Sequence, residues 1–345
     1  MRLAVVVVLG ILWIAGSSVM SLNSGQVLQV DCPEPRGCFG LLEKALATAP
    51  AGSVIRVGPG VFYEQPLVID KSLSLQGAGA DRTKIRMVEP GAAIAIRSVE
   101  ALEVMIASLA IVVPFLWNVG RDPSVGVEWV QQSDKTQTIV MKDSEILSFQ
   151  GVLINSRKGS FTIQQSRLES VAESISIKTQ GEIAVAVEDS SLKGPLTTPW
   201  IPDLSWLGIL VSSAISFITD DSPGRVYIAL KNNQIHFWHI GFSAFSLGHK
   251  GWSRADALLI GNTITFNKGP GVLLGGDTIA ELKENIISDN DDYGVTLFLP
   301  PCASISSGEI TAFRGRMYGK DNVITNNKRG DLCPPDYPWP SGFRK

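Results

Sequence analysis

The chain has 345 residues, of which 18% are charged and 45% hydrophobic, with 33 Gly and 19 Pro. It is too apolar for a disordered chain and too poor in Gly and Pro for a collagen-like one. A formal net charge of −3 leaves no basic surplus to displace counterions from phosphates, so nucleic acid is excluded as the expected partner.

Met1-Arg2 is followed by an apolar run from Leu3 to Ile14 and by the small residues Ala15, Gly16, Ser17 and Ser18. One positive charge, a short apolar core and small residues are the parts of a secretory signal peptide, expected over residues 1–18. The run is shorter than the roughly 20 residues that span a bilayer, and no later stretch supplies a transmembrane span. An uncleaved N-terminal anchor is the alternative. The expected location is secreted, periplasmic or cell-surface.

Cys32, Cys38, Cys302 and Cys333 are an even number, which in an exported protein favours two disulfides. Four cysteines allow three pairings, and joining nearest neighbours is the most economical. Cys32–Cys38 would tie a short Pro/Gly loop, and Cys302–Cys333 would staple the C-terminal end. Neither pair has the short gap of a zinc knuckle. Between them, Phe39 to Ala49 has helix-forming composition, with Leu41, Leu42, Ala45 and Leu46 on one side, and Pro50-Ala51-Gly52 stops it.

From Val54 onward a period dominates. Asn-x-Ile recurs at Asn233, Asn262, Asn285 and Asn322, and a second Asn stands five residues after three of these, at Asn267, Asn290 and Asn327. Earlier, Ser takes the anchor position at Ser144, Ser166 and Ser190. Apolar residues alternate within each unit, which places them on one face of a short strand. Short strands with small polar corners at this period predict stacked coils whose inward Ile, Val, Leu and Phe merge into one column. Asn at equivalent corners would form amide ladders. Roughly ten to twelve coils fit between Val54 and Asn327. A solenoid end needs a cap, which the Leu41–Ala49 helix and the Pro-rich tail after Cys333 would provide.

The segments Gly52-Ser53-Val54-Ile55-Arg56-Val57-Gly58-Pro59-Gly60-Val61-Phe62-Tyr63-Glu64 and Leu67-Val68-Ile69-Asp70-Lys71-Ser72-Leu73-Ser74-Leu75-Gln76-Gly77-Ala78-Gly79 resemble the opening coil of the pectin-lyase-like right-handed β-helix superfamily. The match is closest over 38–90. Residues 226–330 resemble the generic coils, and residues 91–225 match in period. The resemblance implies an all-β fold, a single-stranded right-handed parallel β-helix with an N-terminal amphipathic helix cap, over residues 38–335. Residues 336–345 would form a C-terminal tail. The superfamily's esterases, lyases and polygalacturonases carry catalytic signatures that have no full counterpart here. Asp220-Asp221 and His249 match only fragments of the polygalacturonase set, so the fold transfers without a particular chemistry.

Function in solenoids concentrates where coils are interrupted, here at about 113–136, 193–225, 241–257 and 299–317. These hold Trp117, Trp129, Trp200, Trp206 and Trp252. Exposed Trp rings suit sugar faces, and the plain alternative is that they pack loops onto the coils. Trp129 follows Gly126-Val127 inside an apparent strand and reads as structural. Trp117, Trp200, Trp206, Trp252 and His249 are the candidate carbohydrate-binding residues. The three histidines, His236, His239 and His249, are spaced unevenly for a metal site. Trp238 replaces the second Asn of its coil and would interrupt the ladder there, a local break that points to a special surface. Asp220, Asp221, Asp256, Asp289 and Asp292 are candidate catalytic carboxylates: a pair at glycosidase spacing serves as acid and base or nucleophile. The same oxygens suit calcium, and Gly275-Gly276-Asp277 resembles a single calcium-binding nonapeptide fragment. Backbone capping is the commonest reason for Asp at a turn. No other cofactor and no resident metal is implied. The expected function is binding of a polysaccharide or glycan on an outer groove, with no assignable catalytic set. The alternatives are a glycoside hydrolase or polysaccharide lyase using turn carboxylates, and a structural cell-surface rod.

Overall fold

The computed structural model describes residues 25–89, 91–114, 124–179, 181–195, 212–219, 224–246, 253–303 and 311–345. These form parallel strands wound as coils, with one helix, Leu41–Thr48. One strand of each coil joins an eleven-stranded back sheet that starts at Val27–Val30 and ends at Arg316–Lys320, neighbours in register throughout. The remaining strands make two further faces. Three-residue strands such as Gln234–His236, Thr263–Thr265, Ile286–Ser288 and Val323–Thr325 stack as a short-strand face. Longer ones such as Ser213–Thr219, Ile240–Ser246, Val272–Gly276 and Tyr293–Leu297 stack as a long-strand face. This is a right-handed parallel β-helix: the alternation and period predict the stacked coils, and the family resemblance implies their hand.

Two predicted interruptions are shorter than expected. Strand Ser213–Thr219 lies inside the 193–225 interval, and Ile240–Ser246 and Ser253–Ile260 occupy most of 241–257. Their β-branched and aromatic residues pair like any other coil, which the sequence spacing concealed.

The core is a set of columns, because equivalent positions stack about 4.8 Å apart. One column runs Ile85, Ile111, Ile146, Leu168, Leu192, Ile235, Ile264, Ile287 and Ile324, each paired in register with the next. All are buried.

Where the back sheet turns into the short-strand face, Ser144, Ser166, Ser190, Asn233, Asn262, Asn285 and Asn322 form one continuous ladder. The side-chain oxygen of each member accepts the backbone N–H of the member before it, at 2.9–3.2 Å. The Asn side chains also donate to one another and to a strand-end carbonyl, as Asn262 Nδ2 does to Asn285 Oδ1 and Leu230 O. The residue before each anchor takes a left-handed conformation, as at Asp143, Gln165, Asp189 and Asn232. Polar residues tolerate that region best.

The helix covers the first coils with Leu42 and Leu46 buried. Its N-terminal residue Gly40 has no side chain to cap it. The buried carboxylate of Glu64 does so from the next coil, accepting the N–H groups of Leu42 (2.9 Å) and Glu43 (3.3 Å). Burial pushes the Glu64 carboxyl up, against the lowering effect of these backbone bonds. At the far end Phe313, Tyr337, Trp339 and Phe343 pack edge to face or tilted. The disulfides are Cys32–Cys38 and Cys302–Cys333, the nearest-neighbour pairing. Among the described residues, no helix is long and apolar enough to cross a membrane.

Candidate functional site

Trp117, Trp200, Trp206, His249, Trp252, Asp220 and Asp221 lie outside the described residues, as does the expected 1–18 signal segment. The described strands nevertheless fix where their segments are attached. Residues 115–123 and 196–211 connect the short-strand face to the long-strand face, between Ala110–Val112 and Val125–Gln131 and between Ser191–Lys193 and Ser213–Thr219. Residues 220–223 and 247–252 leave the other edge of the long-strand face. The insertion points therefore border one face from both sides.

The described carboxylates do not converge. Asp256 lies on the back sheet, paired with Arg225 (2.5 Å) and Arg254 (2.7 Å). Arg225 also sits over the Tyr227 ring, 4.5 Å from its centroid. Asp289 is at a left-handed corner and accepts the Ser288 hydroxyl at 2.7 Å. Asp292 faces Arg329 at 3.5 Å. Asp277 is paired with Arg314 through both of its oxygens, so the nonapeptide-like fragment spends its carboxylate in an ion pair. Among the described residues, no group of three His, Cys, Asp or Glu side chains is placed to hold a metal ion.

Trp238 overturns its expectation of a special surface. It is fully buried, its indole N–H donates to Leu192 O at 3.1 Å, and its backbone N–H donates to Asn267 Oδ1 at 3.0 Å. The ring fills the corner and begins the second ladder, which continues through Asn267, Asn290 and Asn327. Trp129 is likewise internal, bonded to Gln137 Oε1 at 2.7 Å. His236 and His239 are separated by a corner. His239 Nδ1 lies 3.0 Å from Ser212 Oγ, while His236 meets the Phe237 ring edge-on at 4.8 Å. Burial, then Lys193 and Arg167, hold the His236 imidazole below its usual value.

What the fold does assemble is a strip along the corner between the short-strand and long-strand faces. The position before each second-ladder residue is left-handed: Phe237, Phe266, Asp289 and Asn326 in successive coils. Asp and Asn accept that conformation, whereas for a bulky aromatic residue it is an outlier. The two rings stack at 5.9 Å with 19° between planes, and Phe266 is 55% exposed. Two coils back along the same corner, Glu173 reaches over the long-strand face. It accepts Gln150 Nε2 at 2.8 Å and the Ser216 hydroxyl at 2.6 Å. Ser243 and Ser213 continue this polar floor, 3.2 Å apart. The strip thus carries stacked apolar rings and, two coils back from Phe237, a partly exposed carboxylate whose amide and hydroxyl partners are buried.

Sequence reasoning sought exposed indoles and missed these phenylalanines. The signal was available: each stands directly before a second-ladder position, where two other coils carry Asp289 and Asn326. Glu173 gave no signal, because a register shift between Ser148 and Gln150 sets its corner.

Comparison with protein-family models found no match, and comparison with curated protein sequences found none. Among solved structures, Dettilon tailspike protein (gp208) is similar at 13% identity and a TM-score of 0.51, over 86% of this chain and 65% of that one. The chain has the right-handed parallel β-helix fold. Also similar are PL6 family alginate lyase AlyGC, 12% identical over 88% of this chain and 40% of that one, TM-score 0.48, and pectin methylesterase PemA from Erwinia chrysanthemi, 14% identical over 86% and 92%, TM-score 0.39. The chain spans less than two thirds of the tailspike and of the alginate lyase.

Proposed function

We propose that this β-helix protein binds a polysaccharide or glycan along the corner strip, with Phe237 and Phe266 as the platform under a sugar ring. The observation that carries the reading is the pair of left-handed phenylalanines. A conformation of this kind costs of order 1 kcal/mol or more per residue and persists where it serves a site. Here it holds one ring over half exposed in water. The next corner residue along, Asp289, is short, which leaves Phe266 over half exposed beside a carboxylate that already accepts the Ser288 hydroxyl. Aromatic faces of this sort match the apolar face of a pyranose, and neighbouring polar groups fix its orientation. The two disulfides suit an oxidising, extracytoplasmic compartment, where such glycans occur. The test is calorimetric titration against a panel of neutral and acidic oligosaccharides. Wild-type protein is expected to bind at least one, and Phe266→Ala to weaken it tenfold or more. A folded wild-type protein that binds none defeats the reading.

A second reading, an enzyme of the hydrolase or lyase type, is favoured by one observation: Glu173 is a fixed carboxylate on the outer face, held by Gln150 and Ser216. Product release from polyuronides, with and without chelator, tests it. Turnover lost in Glu173→Gln or Asp221→Asn would place catalysis on this face.

A further inference from the structure

We propose that the opposite edge of the short-strand face, where it meets the back sheet, is a second saccharide site, selective for a linear glycan segment that carries free amino groups. A groove of about 640 Å³ runs there along the outside of the Ser/Asn ladder. That volume is in the range of ligand sites. Its length is set by Asp143, Gln165, Asp189 and Asn232, the left-handed residues of four successive coils. At a coil spacing of about 4.8 Å they extend over about 14 Å, which accommodates roughly three sugar rings in an extended chain.

The corner geometry keeps these four side chains outward. Each backbone N–H is already committed to the next coil, from Asp143 to Gln164 O (3.1 Å), Gln165 to Glu188 O (3.1 Å), Asp189 to Lys231 O (3.0 Å) and Asn232 to Ile260 O (3.0 Å). The hydroxyls of Ser144, Ser166 and Ser190 beneath donate to the carbonyls of Lys142, Gln164 and Glu188. The groove therefore presents an alternating series of carboxylate and amide groups at intervals close to one sugar ring.

Its charge decides the ligand class. The only cation of the lining, Arg167, is paired with Glu145 (3.7 Å) and with Glu169 (2.9 Å). Among the described residues the Asp143 carboxylate has no hydrogen-bond or ion-pair partner, and the Asp189 carboxylate receives the Asn232 amide at 3.1 Å. These two uncompensated carboxylates stand two coils apart. They repel a polyuronide and attract ammonium groups spaced along a glycan. The groove lies across the short-strand face from Phe237 and Phe266, so it is separate from the strip proposed above and does not depend on that reading.

The experiment is calorimetric titration with a glucosamine hexamer, its N-acetylated counterpart and a galacturonate hexamer at low ionic strength. Wild-type protein is expected to prefer the glucosamine hexamer. Asp143→Asn/Asp189→Asn, which keeps residues that tolerate the left-handed corner, is expected to lose tenfold or more in that affinity with an unchanged unfolding midpoint. Gln165→Glu is expected to gain affinity, and Phe266→Ala to leave it unchanged. The proposal is overturned if wild-type protein ignores the glucosamine hexamer or prefers the galacturonate one. It is equally overturned if the double variant binds like wild type, or if Phe266→Ala abolishes binding and so moves the ligand to the other corner.

Discussion

The side-chain oxygen of Asn285 accepts two hydrogen bonds from Asn262, one from its backbone N–H at 2.9 Å and one from its amide Nδ2 at 3.0 Å. Asn285 in turn donates to Leu259 O and to Asn322 Oδ1, both at 2.9 Å. One buried amide thus serves three coils.

Asn285→Ala is expected to cost about 2–6 kcal/mol, because Asn262 N–H and Leu259 O lose their partner at roughly 1–3 kcal/mol each, while Asn262 Nδ2 keeps Leu230 O and Asn322 Oδ1 keeps the Asn285 backbone N–H. Ser190→Ala, at the same ladder position in an earlier coil, is expected to cost less, since Ser190 Oγ donates to Glu188 O and accepts one N–H. Urea denaturation of the two variants checks the order.

At the aromatic corner, Phe266→Asn installs the residue that the ladder carries at Asn326. Relief of the left-handed strain is worth about 1 kcal/mol, roughly offset by loss of a stacked ring pair worth about 0.5–1.5 kcal/mol. Stability is therefore expected to stay within about 1 kcal/mol of wild type while glycan affinity falls. A drop in the unfolding midpoint equivalent to several kcal/mol would make the rings structural supports.

Glu64 couples the helix cap to pH. Its folded-state carboxyl is raised above 4.5 by burial. A raised pKa means protonation favours the fold, so this contribution is complete below pH 4.5 and is lost as pH rises through the folded-state value. The stability of wild type relative to Glu64→Gln is expected to improve as pH falls from neutral toward 4.5. Glu64→Ala, which strips the helix N-terminus of its acceptors, is expected to cost about 1–2 kcal/mol at neutral pH. Paired urea melts across pH measure both.

Opening Cys302–Cys333 by double substitution to Ser removes a cross-link across 31 residues, worth about 3–4 kcal/mol in the chain-entropy picture. The loss is expected to be local. Amide exchange should rise at Arg316–Lys320 and Gly330–Cys333, the last strands of the stack, before it rises at Ile235 or Ile264.

The architecture was legible because it is repeated. Asn233, Asn262, Asn285 and Asn322 report the same corner four times, and Ser144, Ser166 and Ser190 report it three times more. Each repeat carries its own local reason for turning, so the ladder and the helix cap could be read from spacing and composition, whereas the cysteine spacing favoured one of three pairings without deciding it. Trp238 was misread because a missing Asn looks alike in sequence whether the replacement faces water or core. The burial of its ring depends on Leu192 and Asn267, which are 46 and 29 residues away.

The corner strip and the groove belong to the other category. That Phe237 touches Phe266, that Glu173 reaches Ser216, and that Asp143 and Asp189 share a concavity with Arg167 depend on which residues of different coils fall into register. Strand pairing sets that register, and insertions of unequal length between coils erase it from the linear spacing. Sequence alone therefore determined that turns of chain would stack and where they would bend. Only the stacked structure decided which side chains meet on the outside, because those contacts run along the rod axis, perpendicular to the chain.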